Sequence, residues 1–451
     1  MNSLEITKNA IKSKNVMIEI YGLGYVGFPL AVRLSISGFN VIGIDVNNNR
    51  IERLEKNKLM DSEIYLQDDY FKVREQKKLE FRNAPETYKI PKIGIICVPT
   101  PIPDENTNSD IYVKKAVESF LNKSKTNDII ILESSIEVGT TERIRKIITN
   151  HGYKVGENFG LCFCPERIDP ANKEWGIENI PRVIYCSDNN SFEISREIYQ
   201  HVNNGNLLRV SSPKIAEIVK SFENAFRLVN ISLVNELAIL CDKLKINVKE
   251  IIDAASTKPF GFMAHYPGAG AGGHCIPKDP RFLLESAKLN GINFITIENA
   301  LKINDIMPKY ISEQIEQKIS ELDVEKSVLV CGLSYKANVE DMRDSPSFKI
   351  IKELTRKGMK VYGYDPFFKT YLLEKYLIEN HMSELNLEVL SELNQQEVKK
   401  ISCICIVQHH EITKEIIDDI YKKSVVPLIF DCQNKIKKIE NSKTNLEYLG
   451  N

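Results

Sequence analysis

Cys275 stands in an unusual setting, the stretch Tyr266-Pro-Gly-Ala-Gly-Ala-Gly-Gly-His-Cys-Ile-Pro-Lys-Asp-Pro280. Gly268, Gly270, Gly272 and Gly273 allow positive φ and close approach of backbone to a ligand, which a loop needs if its amides are to wrap a substrate. Pro277 stiffens the exit, and Lys278 and Asp279 set a cation and a carboxylate beside the thiol. A nearby cation favours thiolate, the nucleophilic form. The stretch therefore reads either as a nucleophile loop of an oxidoreductase or as a surface Gly/Pro loop with an incidental thiol. The other nine cysteines, at 97, 162, 164, 186, 241, 331, 403, 405 and 432, lie mostly in apolar runs where Cys acts as a small hydrophobe. Cys162-x-Cys164 and Cys403-x-Cys405 lack the two-residue gap of a zinc knuckle, so no metal site is expected.

A second chemistry is written near the start. Residues 16–21 form a strand-like run into Gly22-Leu-Gly24-Tyr25-Val26-Gly27, followed by a helical pattern over 29–37. Strand, glycines and helix in that order predict a dinucleotide site: Gly22 for the tight turn, Gly24 for close approach of pyrophosphate, Gly27 for packing of helix on strand. The next strand ends in Asp45, about 20 residues on, where a carboxylate takes the adenosine ribose hydroxyls. Asp45 favours NAD over NADP, with Arg50 the nearest cation that bears on that choice. A generic βαβ turn is the alternative.

Further strands at 93–98, 128–132 and 160–165 continue one parallel sheet. They place Pro99, Thr100, Thr140, Glu166 and Arg167 at carboxyl ends, where open α/β sheets bind ligands. From Ser212-Pro213 a long helix follows, with apolar residues at 215, 218, 219, 222, 226, 229, 233, 237 and 240 at helical spacing. Lys220, Asn224 and Arg227 share another stripe, which alone reads as an exposed polar face. Strand runs at 326–331, 360–365, 401–407 and 426–431, with a turn at Gly332, repeat the opening architecture without the three glycines. This second unit fits a different nucleotide better than a second dinucleotide.

The expected fold is α/β, two Rossmann-like doubly wound domains joined by a long central helix. The expected bounds are 1–210 for cofactor, 211–320 for the helix and catalytic loop, and 321–451 for the second nucleotide. The 451 residues suit about three units of roughly 150. Hydrophobic content of 43%, charged content of 27% and a net charge of −1 describe a globular protein with no electrostatic case for nucleic acid. Reduced, apolar cysteines and the lack of a signal-peptide core or a run of about 20 apolar residues predict a soluble cytoplasmic protein with no membrane partner.

With these motifs in hand, the chain resembles the nucleotide-sugar 6-dehydrogenases, the UDP-glucose and UDP-N-acetylhexosamine dehydrogenase family, from Gly22 to Asp431. The motifs occur in the family's order: Gly22 to Gly27, Val98-Pro-Thr-Pro101, Gly139-Thr-Thr141, Cys164-Pro-Glu-Arg167, Lys220 with Asn224, Gly272-Gly-His-Cys-Ile-Pro-Lys-Asp279, and Lys336 with Arg343-Asp-Ser-Pro346. Residues 164–168 and 256–263 look like the branch acting on UDP-N-acetylglucosamine, favoured here, or UDP-N-acetylmannosamine. Ala171 and Lys278 depart from that branch. UDP-glucose as substrate, or a nucleotide-sugar-binding protein without catalysis, are the alternatives.

The resemblance implies NAD as cofactor, a UDP-sugar as substrate, surface polysaccharide precursors as product and a homodimer. It implies a four-electron oxidation through a thiohemiacetal and thioester on Cys275. Lys220 and Asn224 would hold the oxyanion, Asp279 and Thr140 would order a water, and Glu166 would be the base for hydrolysis. Lys336, Arg227, Arg167, His265, His274, Gly268, Gly270 and Gly272 would face the substrate. Arg343, Arg50, Pro99, Thr100, Tyr25 and Val26 would face the cofactor.

Overall fold

The computed structural model describes residues 4–101, 109–167, 174–273, 275–322, 324–380, 382, 385, 387–440 and 442–451. Ile168, Ala171 and His274 of the sequence reading lie outside the described residues. Two compact units are present, one of residues 1–223 with 281–291, the other of 224–280 with 292–451.

In the first unit, strands β1 (Met17–Tyr21), β2 (Asn40–Ile44), β3 (Leu79–Arg82), β4 (Lys92–Ile96), β5 (Ile129–Leu132), β6 (Gly160–Phe163), β7 (Arg182–Cys186) and β8 (Leu207–Arg209) form one sheet. Their order is β3-β2-β1-β4-β5-β6-β7-β8, which reverses direction of growth beside β1. β4, β5 and β6 are buried at every residue, which explains their unbroken apolar runs: a parallel sheet covered on both faces has no polar side. β7 runs antiparallel to β6. Helix Gly27–Ile36 buries Phe28, Leu30, Ala31, Val32 and Leu34 against this sheet.

The second unit repeats the plan. Strands β9 (Ser327–Cys331), β10 (Lys360–Tyr364), β11 (Leu387–Val389), β12 (Cys403–Ile406), β13 (Leu428–Asp431) and β14 (Asn445–Tyr448) are ordered β11-β10-β9-β12-β13-β14. All pairings are parallel. Ser345 accepts from Ser347 N–H and Pro346 takes the first turn of helix Pro346–Arg356, the cap expected from Ser-Pro.

The central helix spans Pro213–Leu244 and reverses the expectation about its faces. The apolar stripe is outside: Ile215, Ile218, Phe222, Phe226, Leu233, Leu240 and Leu244 are exposed, Phe222 to 58% and Leu233 to 61%. Polar Glu217, Ser221, Asn224, Ser232 and Asn235 are buried. Each of several finds a partner, Ser232 donating to Ala300 O at 2.8 Å and Asn235 accepting from Gly268 N–H at 2.9 Å. By length and composition this helix is also apolar enough to cross a membrane, with 44% of the qualifying stretch buried in the protein. Charged Lys220, Glu223, Arg227 and Glu236 interrupt it, so the chain has no unbroken run of about 20 apolar residues here, and a half-buried core helix passes the same length and composition test.

Candidate active site

The three glycines of the first turn differ in the way their roles demand. At Gly22, φ is +89° and a Cβ would lie 2.6 Å from Cys97 O; at Gly27 it would lie 1.9 Å from Gly22 O. Around Gly24 nothing lies within 4 Å of that position. Turn and helix packing thus require the outer two, and the middle one opens onto space. Val26 at the N-cap of the following helix supplies no side-chain acceptor; Phe28 N–H donates to Gly24 O at 3.1 Å and Pro29 has no N–H, which leaves the Gly27 N–H of the first turn for an anion. Gly24 and Tyr25 are exposed and Val26 is half-buried.

Asp45 clamps this turn. Its Oδ2 accepts from Leu23 N–H at 2.8 Å and its Oδ1 from Asn47 N–H at 2.9 Å, and the half-buried carboxylate keeps lone pairs for ribose hydroxyls. Arg50 points inward instead. Its Nε donates to Leu23 O at 3.0 Å, its Nη1 to Glu63 at 3.1 Å, and its guanidinium lies 5.0 Å from the Phe28 ring centre. Leu23 is therefore held at both ends of its backbone, and Arg50 is committed to the turn. An open cradle, an uncapped helix and a ribose-height carboxylate fit a dinucleotide with a free 2′-hydroxyl. Pro99 is exposed and Thr100 buried just past β4.

Past β5 and β6 lies a buried ionic cluster. Arg182 Nη2 is 2.6 Å from Glu166 Oε2, and Arg182 Nη1 is 3.1 Å from Glu133 Oε1. Glu166 also accepts from Arg167 N–H at 2.6 Å. The Arg167 guanidinium forks onto Glu223 and donates to Pro181 O at 2.7 Å. Neither Glu133 nor Arg182 was singled out in the sequence. Their signal was the Glu133-Ser-Ser and Pro181-Arg-Val context at strand ends, which reads equally as packing.

The Gly139-Thr-Thr turn is organised by Glu217, also missed. Its carboxylate accepts from Gly139 N–H at 2.6 Å and Thr141 N–H at 2.8 Å. Burial pushes this carboxyl up, opposed by those amides. Thr140 is fully buried and accepts from Arg143 Nη2 at 2.7 Å. Lys220 is half-buried.

In the second unit, Cys275 is exposed while eight of the ten cysteines are buried and Cys97 is half-buried. Its carbonyl accepts from Asp279 N–H at 2.9 Å and Lys278 N–H at 3.3 Å, so the cysteine sits on the turn that starts helix Asp279–Leu289. Asp279 is completely buried. Its Oδ2 accepts from Asn224 Nδ2 at 2.8 Å, Lys278 Nζ is 3.7 Å from its Oδ1, and that Oδ1 has no hydrogen-bond partner among the described residues. A buried carboxylate oxygen left open in this way calls for a water. Three of the loop glycines pack closely, a Cβ at Gly272 meeting Asp344 O at 2.7 Å, one at Gly270 Asn304 O at 3.0 Å and one at Gly273 the Tyr335 ring at 2.6 Å, whereas at Gly268 nothing lies within 4 Å. Gly273 N–H donates to Arg343 O at 3.1 Å. Arg227 is exposed, His265 half-buried with its ring 6.3 Å from that of Phe226, and Lys336 half-buried. Arg343 pairs with Asp341.

The second glycine turn is closed where the first is open. Asp365 accepts from Leu333 N–H, Ser334 N–H and Ser334 Oγ at 2.7 to 2.8 Å and from His410 Nε2 at 3.2 Å. Burial raises its carboxyl, but these donors outweigh it and hold the group below the usual carboxylate range. The position expected to take ribose in the first unit is here filled by the chain itself. Among the described residues no group of three or more His, Cys, Asp or Glu side chains is arranged to hold a metal.

Comparison with known proteins gives three family-model matches in order. Residues 16–203 match the NAD binding domain of the UDP-glucose/GDP-mannose dehydrogenase family, 214–306 its central domain and 329–438 its UDP binding domain. A UDP-N-acetyl-D-mannosamine dehydrogenase from Methanococcus vannielii is 33% identical over 94% of each chain. A UDP-N-acetyl-D-glucosamine 6-dehydrogenase from Salmonella typhi is 34% identical over 78% of this chain and 82% of that one. The solved UDP-N-acetyl-mannosamine dehydrogenase Cap5O from S. aureus superposes with a TM-score of 0.82 at 30% identity, over 96% of this chain and 99% of that one. With cradle, buried carboxylate and exposed thiol in place, the chain belongs to the UDP-glucose/GDP-mannose dehydrogenase family and is an NAD-dependent dehydrogenase.

Proposed function

We propose that the chain oxidises the C6 hydroxyl of a UDP-N-acetylhexosamine to the carboxylate in two steps. The observation that carries this is the exposed Cys275 on the turn before buried Asp279, in a chain similar over its length to enzymes named for UDP-N-acetylhexosamines. NAD, when bound, accepts one hydride in each oxidation. Asn224 and Lys220 stabilise the oxyanion, and Asp279, holding a water on its open oxygen, relays the alcohol proton. Thr140 helps order that water. The Cys275 sulfur adds to the aldehyde carbon, which keeps a C–H for the second hydride, and the thioester left behind is opened by water with Glu166 as base. Lys336, Arg227, Arg167, His265 and the loop at 268–272 bind the sugar nucleotide, and Arg343 the cofactor. This division of labour follows the three parts 1–210, 211–320 and 321–451.

The test is stoichiometry and a substrate panel. Two NADH per sugar are expected; one would sink the reading in favour of a simple alcohol dehydrogenase. Between the C2 epimers the motif reading points to N-acetylglucosamine, while the relative matched over 94% of both chains is named for N-acetylmannosamine. The mannosamine form is proposed as the faster substrate. Fastest turnover of UDP-glucose would overturn the N-acetyl class altogether.

The exposed stripe from Ile215 to Leu244 is proposed to be covered by a second copy of the chain, giving a homodimer. Phe222→Asp with Leu233→Asp is expected to halve the mass in solution; a monomeric parent protein would remove the idea.

A further inference from the structure

Arg182 is a buried charge to which the proposed reaction gives no task. It opens β7, whose antiparallel register sets Cys162 opposite Cys186 and Phe163 opposite Tyr185. Continued past the end of β6, the same register puts Glu166 opposite Arg182, and there the side chains meet at 2.6 Å. Pro165, with no N–H, ends the ladder without ending the alignment. The far side of the guanidinium faces a second carboxylate as an ion pair, although Nη1 makes no hydrogen bond among the described residues. Glu133 lies at 3.1 Å, the Tyr199 ring centre is 4.9 Å away, and Tyr199 OH donates to Glu133 at 2.5 Å.

Exposure runs in one direction through this cluster: the Glu133 side chain is 0% exposed, Arg182 3% and Glu166 12%. Glu166 is the end that reaches solvent, and both of its oxygens are held, one by Arg182 and one by Arg167 N–H. Two carboxylates around one buried guanidinium are a poor device for stability, since apolar residues of the same volume generally do as well or better. Such clusters are retained where a charge must be kept in one place.

We propose that Arg182 is a positioning residue for Glu166, held in turn by Glu133 and Tyr199, and that it acts in thioester hydrolysis. The inference rests on the reading of Glu166 as the hydrolytic base. In that step water oxygen bonds to the acyl carbon, a water proton passes to Glu166, the C–S bond breaks, and its electron pair leaves on the Cys275 sulfur. The guanidinium fixes which lone pair of Glu166 faces the water. It takes no part in either hydride transfer.

Rapid mixing and intact-mass analysis of the full chain, with NAD and the best sugar of the panel, test this. Glu166→Gln should give a fast burst of two NADH per Cys275, then slow turnover with the uronyl adduct on the protein. Arg182→Lys and Arg182→Met should give the same burst and adduct, with KM falling in step with kcat so that kcat/KM is unchanged. Their kcat should fall roughly 10-fold and 100-fold, part of the ~10²–10⁴-fold a positioned base contributes. Glu133→Gln should show the same pattern more weakly. Where Arg182→Met does not fold, Arg182→Lys and Glu133→Gln carry the test, with the melting temperature as check. An unchanged kcat in folded Arg182→Lys overturns the proposal. So does a burst slowed in step with kcat and without adduct, the mark of a purely structural role. Absence of adduct in Glu166→Gln removes the base itself, and the proposal with it, by a result independent of Arg182.

Discussion

A sulfur that must add to an aldehyde and later leave an acyl carbon has to be reachable, and Cys275 is the exposed cysteine of this chain. Its replacement by Ser is expected to lower net turnover by several orders of magnitude, read as steady NADH production, because an ester cannot form and break as a thioester does. Undiminished turnover would refute the assignment. Asp128, far from this chemistry by role, makes a second residue-level test. Both its oxygens accept backbone N–H groups, from Lys92 at 2.8 Å and Lys125 at 2.9 Å, yet burial pushes its carboxyl up to about 6. The unfolded value is about 3.9, so the folded state binds the proton more tightly. The contribution to stability is complete below pH ~4 and fades as pH rises to about 6. Asp128→Asn loses one acceptor at every pH but has no charge to bury. Its melting temperature should therefore gain on that of the parent between these pH values, and a constant difference would contradict the raised carboxyl.

Glycines at element junctions were readable because each role excludes a side chain. Gly27→Ala would drive Cβ into Gly22 O, and overpacking of this kind costs about 1–3 kcal/mol. Denaturant unfolding should show that loss together with weakened NAD binding, whereas Gly24→Ala should weaken NAD binding with little loss of stability. Equal stability losses would contradict the division of roles. The strands legible in the sequence include the fully buried β5 and β12, where apolar residues run unbroken, and β1, β2 and β10, which are buried over most of their length. Three-residue edge strands β8 and β11 bury little, and β14 ends in a tail whose lysines mask it, so pattern gave no purchase. The central helix shows a deeper limit. Periodicity identifies an apolar stripe but not which side of it faces the protein, and here the buried face mixes Ala216, Ala225, Leu228, Val234, Ala238 and Cys241 with Glu217, Ser221, Asn224, Ser232 and Asn235. Catalytic-type residues were legible by motif order; Glu217, Glu133 and Arg182 were not, because their partners come from other strands and helices.

At the scale of the whole molecule, one plan is used twice with different outcomes. Parallel sheets grown outward from β1 and from β9 each carry a glycine turn followed by a strand-end aspartate. Asp45 is left half-buried and Asp365 is closed in by five donors, Phe367 N–H at 3.0 Å among them. The second unit was expected from sequence to take a different nucleotide, and the filled aspartate is the physical reason it does not duplicate the first. Distribution of the ten cysteines has a practical consequence. Eight are buried, and burial raises the thiol of half-buried Cys97 well above its ordinary value, so a mild thiol reagent should mark one site quickly in the native protein and all ten once it is unfolded. The chain thus carries its own gauge: on the proposed role of Cys275 the fast equivalent counts competent active sites, and the slow remainder counts molecules as they lose their fold.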